Sequence, residues 1–328
     1  LAGRVHEGPF YLGTTTQQFR GETEVGKTDH FIVYTDGSAD GTASAQAVLQ
    51  RAEADYAAVR DWFGGIDLPP GQQGDDQTTP RTALPLQVLI DSQAGGAYHF
   101  GCNATDIYIE PQVQEAPGLM VAELVEIFEA AIDNGWQCGQ TNGEALSRAL
   151  AVARDAALNP LIVQTAQGWW ANGHADYVND NSADDTNQDA NGCGTLFLYY
   201  LNSQLGYSWR QITTAGGATL GECYAKLTGH TGAEGFTDFL DRLATLDTGG
   251  GLTLPASGNP FPIGGSAQPG PSAPPSGGDG QGVPIPVNVP DLPAEARSNP
   301  ALMVAILVVL ALVALIGVLS ATGTLHLP

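Results

Sequence analysis

A chain of 328 residues has room for one large domain, or two small ones, with appendages. Its 35 acidic residues outnumber 12 basic ones, and the net charge of −23 argues against nucleic acid and anionic lipid headgroups as partners. Only 14% of residues are charged and 42 are glycine, a balance usual for secreted proteins with polar, uncharged surfaces.

Residues 1–27 form a polar, Gly/Thr-rich N-terminal segment, with one strand expected near Phe10–Leu12. The β-branched and aromatic run Phe31–Tyr34 predicts a strand, ended by the turn residues Asp36, Gly37 and Ser38. Thr42 to Phe63 predicts a long amphipathic helix that buries Ala45, Val48, Leu49, Ala52, Tyr56, Val59 and Phe63 and stops at Gly64-Gly65. A polar loop follows over Pro69–Arg81, then two more strands, Leu86–Ile90 and Asp106–Glu110.

From Leu119 to Leu150 the pattern is two helices joined by a Gly/Trp/Cys-rich turn. In the first, Met120, Leu124, Ile127 and Phe128 recur at helical spacing, while Glu123, Glu126 and Glu129 mark another face. The bland reading of those glutamates is a solvated stripe. The second helix is expected to open with Asn142 as N-cap and carries Glu144 in its first turn, where a carboxylate suits the helix dipole. Arg148 stands one turn further on, spaced to pair with Glu144.

The rest of the folded part reads as helical. Leu161–Trp170 is apolar and precedes His174, which offers either a ligand or a loop-end residue. His30, His99 and His230 lack partner spacing. In the acidic stretch 179–191, Asp185, Asn187 and Asp189 alternate as in an oxygen-ligand loop. Ala190 and Leu196 occupy the places where an EF-hand needs Gly and Glu, so the readings are a non-EF calcium site or a solvated loop. Buried or short helices follow at Cys193–Leu205, from Tyr207 to Ile212, from Thr219 to Leu227, and around Phe236–Leu243.

Residues 251–300 hold twelve of the 21 prolines, mixed with Gly, Ser and Ala, and predict a disordered stalk. At about 3 Å per residue in polyproline-like stretches it reaches on the order of 100 Å. Ala301–Ala321 is uncharged and apolar and predicts one transmembrane helix, with residues 322–328 as a tail. The stalk and the cysteine usage put the main domain outside the cell, so the expected location is the cell membrane, single-pass. The chain begins at Leu1 without a signal-peptide pattern, as a mature or truncated N-terminus would. Cys102, Cys138, Cys193 and Cys223 show no C-x-x-C spacing, and in that compartment they predict one or two disulfides, with buried thiols or metal ligation as the other readings.

The two-helix stretch resembles the gluzincin, or peptidase-MA-like, metallopeptidases, whose first helix carries H-E-x-x-H and whose second supplies a glutamate as third zinc ligand. The matching positions are Ala122-Glu123-Leu124-Val125-Glu126, with Glu144 as the third-ligand position. Glu123 stands where the family has its general base, while Ala122 and Glu126 replace both histidines. The resemblance covers residues 28–245 and gives the domain limits as 28–250. It implies an α+β, zincin-like fold: a short N-terminal sheet with a long helix, then a mainly helical half, with the last strand bordering the cleft. It also implies that zinc chemistry is lost, since alanine binds no metal and paired carboxylates favour a hard cation. The expected function is a cell-surface pseudoenzyme that binds a protein or peptide partner or serves structurally. The alternative is a metal-dependent hydrolase with Glu126 and Glu144 as ligands and Glu123 as base. An aspartic-peptidase reading of Asp247-Thr248-Gly249 lacks a second good copy, and no G-x-S-x-G elbow is present.

Overall fold

The computed structural model describes residues 22–68, 84–99, 106–247, 249 and 251–261, and shows an α+β protein. Five strands form one sheet: β1 (Thr23–Lys27), β2 (Phe31–Thr35), β3 (Leu86–Ile90), β4 (Ala97–His99) and β5 (Ile107–Ile109). The order across the sheet is β1-β2-β3-β5-β4. Strands β2, β3 and β5 run parallel, with Phe31 opposite Leu86 and Val88 opposite Ile107, and an antiparallel strand closes each edge. The parallel centre is apolar because helices cover it: Phe31, Val33, Leu86, Val88, Ile107 and Ile109 are all fully buried. Strand β1 lies within the expected N-terminal segment 1–27, yet it belongs to the sheet. Its Glu24, Gly26 and Lys27 pair across a bulge with β2, a signal too polar to read from sequence.

Helix α1 (Ala39–Trp62) crosses from β2 to β3. It starts three residues earlier than the apolar pattern suggests, because Ser38 Oγ accepts from the Gly41 amide and caps it there. Helices α2 (Ala116–Ile132) and α3 (Thr141–Arg154) are the pair expected from the glutamate stretch. Pro117 sits in the first turn of α2, and Asp133 ends it in the left-handed region. Asn142 does not cap α3; Gln140 stands at that position. The buried Asn142 side chain instead donates to the Gly135 and Gly217 carbonyls, tying the inter-helix turn to a later loop.

The helical half continues with α4 (Asn159–Ala171), α5 (Gln188–Tyr199), α6 (Trp209–Ala215), α7 (Leu220–Thr228) and α8 (Gly232–Ala244). Helix α5 packs against α3 and α4, and ends in a π-helical turn at Tyr200–Gln204. Helices α6 and α8 both start with capping boxes, Ser208 with Gln211 and Thr231 with Glu234.

The folded body does not stop at residue 250. Leu252 and Phe261 are 4% and 1% exposed, and Phe261 packs its ring against Tyr200 and Phe239. Asn259 donates to Ser203 Oγ, so the Pro/Gly-rich stretch begins as packed chain. The expected strand near Phe10–Leu12, the polar loop Pro69–Arg81, the part of the expected stalk 251–300 beyond residue 261 and the membrane helix Ala301–Ala321 lie outside the described residues. Among the described residues, no helix is long and apolar enough to cross a membrane. Cys193 and Cys223 are buried free thiols; Cys138 is disulfide-bonded, and Cys102 lies outside the described residues.

Candidate binding site

The glutamates of α2 do not share one face. Three residues cover 300° of helix, so each step along Glu123, Glu126 and Glu129 falls about 60° short of a full turn. The stripe therefore rotates. Glu123 and Glu126 line a cavity of about 270 Å³, while Glu129 is turned into the body against the start of α3. All three are buried, so none belongs to a solvated stripe.

Strand β4 brings the residue that the sequence reading passed over. Its two-residue period turns Tyr98 toward Tyr108, on which it stacks, and turns His99 toward α2. His99 Nδ1 lies 2.8 Å from Glu123 Oε2 and 3.8 Å from Glu126 Oε2, and its side chain is 2% exposed. Its Nε2 is buried without a hydrogen-bond partner. No spacing rule links His99 to Glu123, 24 residues on; only the edge strand does.

Across the cavity, Arg148 Nη1 bonds both the Glu144 carboxylate and, at 2.9 Å, the Glu144 carbonyl. The other Glu144 oxygen accepts from the Gly139 amide at 3.0 Å. Burial alone would lower the Arg148 pKa, but the bonded Glu144, with Glu126 and Glu123 nearby, more than offsets it and raises it. Glu126 receives no hydrogen bond from any described residue. Burial first, then the charges of Glu144, Glu123 and Glu129, push its pKa well above the ordinary 4.5. Glu129, with neither carboxyl oxygen bonded, is raised well above the same value, by burial first and Glu144 second.

No family model matches this chain, and a search of curated proteins finds no match.

The other sequence candidates are dispersed. His174 is exposed, at φ 43°, and stacks on Trp170 at 4.8 Å, away from the cavity lining. Of the acidic loop, Asp185 lines the cavity and its pKa is raised, by burial first and then by Glu144 and Asp184. Asn187 caps α5 through the Ala190 amide, and Asp189 accepts from Asn172. These are three separate duties. Asp247 folds back on the Gly249 and Gly251 amides and takes Trp170 Nε1, a turn rather than half of a catalytic dyad.

Catalytic zinc does not fit these residues. Ala122, which lines the cavity, offers no donor atom, and the carboxylate at the third-ligand position is bonded to a guanidinium. A different trio, His99, Glu126 and Cys138, has ligand-capable atoms within 4.8 Å of one another. A metal takes a thiolate, however, and the Cys138 sulfur is in a disulfide. What the site offers is a small, acid-lined cleft with an apolar wall.

Proposed function

We propose that this chain is a membrane-anchored cell-surface protein whose metallopeptidase-like body has given up peptide hydrolysis and acts by binding. The observation that carries the reading is the Arg148–Glu144 pair: a fixed cation bonds the carboxylate that the resemblance assigns to zinc. The edge strand over α2 and the glutamate of α3 facing the same cavity support a zincin-like layout. Glu123, at the general-base position, is held by His99. Membrane anchoring rests on the apolar, uncharged run Ala301–Ala321 and on the proline-rich chain before it.

Metal analysis of the purified chain, with a broad peptide-hydrolysis screen, tests this. The expected outcome is less than stoichiometric metal and no chelator-sensitive turnover. The scaffold itself is tested by Ala122→His/Glu126→His, which restores both imidazoles in a helix that already faces the cavity. That variant is expected to take up zinc, and Arg148→Met in addition should tighten it by freeing Glu144. No zinc uptake in either variant would remove the gluzincin reading. A second reading, a hydrolase with a carboxylate-rich metal site, is favoured by the closeness of His99 and Glu126. Stoichiometric metal with chelator-sensitive turnover in the unaltered chain would select it.

A further inference from the structure

We infer that the cavity binds a small primary amine with a short apolar body, its ammonium group against Glu126. This rests on the reading of the cavity as a binding site without turnover. Four carboxylates, from Glu123, Glu126, Glu144 and Asp185, line the space with one guanidinium and one imidazole. Internal pairing uses both: Arg148 with Glu144, and His99 Nδ1 with Glu123. The acids left without a basic partner are Glu126 and Asp185.

Among the described residues, none donates a hydrogen bond to the Glu126 carboxyl. Glu126 is 8% exposed, and its nearest described cationic neighbour, His99 Nδ1, stands 3.8 Å away, beyond hydrogen-bond reach. Because a carboxylate only accepts, His99 Nδ1 carries a proton toward Glu123. An ammonium group supplies three donors and the missing charge, whereas a hydroxyl supplies one donor and a carboxylate none. Leu158, Leu161 and Ile162 form an apolar wall for the rest of the ligand. At about 270 Å³ the space lies near the lower end for small-molecule sites, which selects a short alkyl or arylalkyl body.

The raised pKa of Glu126 adds a signature, since a cation that needs the carboxylate ionised expels its proton on binding. Titration calorimetry of the full chain with hexylamine, hexanol and hexanoate, in two buffers of different ionisation heat, tests the inference. Hexylamine is expected to bind saturably with net proton release, at least about tenfold tighter than hexanol, and hexanoate is expected not to bind. Glu126→Gln should weaken hexylamine by about tenfold or more while its thermal midpoint does not fall, because a neutral amide replaces an unbonded acid. Leu161→Trp, which fills the apolar wall, should weaken hexylamine and hexanol alike. No hexylamine binding, equal affinity for hexanol, or unchanged binding by Glu126→Gln overturns the inference. Turnover and metal content are measured separately, so peptide cleavage would sink the preceding reading, whereas inert protein that ignores hexylamine would sink only this one.

Discussion

Glu129 lies three residues beyond Glu126, fully buried, with no hydrogen bond to either carboxyl oxygen. Its folded pKa is raised, so its stability contribution is complete below the ordinary value of 4.5 and is lost as pH rises through the folded value. Glu126 acts in the same direction. Asp36 acts oppositely: the Ser38 side chain, with the Ser38 and Ser92 amides, depresses its pKa, and its contribution is lost as pH falls below 3.8. Thermal unfolding is therefore expected at a higher midpoint at pH 5 than at pH 8, with Glu129→Gln flattening that slope. A slope left intact in the variant would place the effect elsewhere. Gly143 is bound to the same corner, since a Cβ there would stand 2.2 Å from the Gln137 carbonyl oxygen and 2.6 Å from Glu129 Oε2. Gly143→Ala is expected to cost about 1–3 kcal/mol in urea unfolding, as overpacking against backbone does. Of these residues, Glu144 and Arg148 could be read in sequence because their partner lies one helical turn away. Glu129 could not, since its burial depends on how far α2 rotates the stripe.

At the scale of elements, α1 and α3 are pinned by a buried carboxylate rather than by apolar contact alone. Asp55 has no exposed surface and meets Arg51 from its own helix and Arg154 from the end of α3, while Arg51 also reaches Asp155. Asp55→Ala leaves two guanidinium groups facing a gap, and a loss of about 3 kcal/mol is expected from denaturant melts. A variant within experimental error of the parent would show that water compensates those charges. The sequence marked α1, α2 and α3 through apolar periodicity and glycine stops, a local signal. Strand β4 escaped it, because three residues carry no periodicity and a strand of that length is stable only against β5. His99, the cavity's one imidazole among the described residues, was hidden by the same shortness.

At the scale of the whole molecule, the helical half closes around Phe239, in ring contact with Trp169, Phe197, Tyr200 and Phe261. The last of these comes from the stretch whose composition predicts a stalk. Phe261→Ala should cost about 3–5 kcal/mol, the usual range for emptying a buried aromatic site. A chain ended at residue 250 should lose a similar amount or more, read as a lowered thermal midpoint. If that truncated chain melts with the parent, the packing of Phe261 contributes nothing to stability.

By itself, the sequence determined the α+β class, the helix pair with its glutamates, and the pairing of Glu144 with Arg148. Each of these depends on residues within a few turns of one another. Tertiary structure alone decided that His99 stands against Glu123, that Glu129 leaves the cavity, that β1 joins the sheet, and that the body runs on to Phe261. The physical reason is that each depends on a contact between segments distant along the chain, and composition and periodicity record only what a segment does with its neighbours.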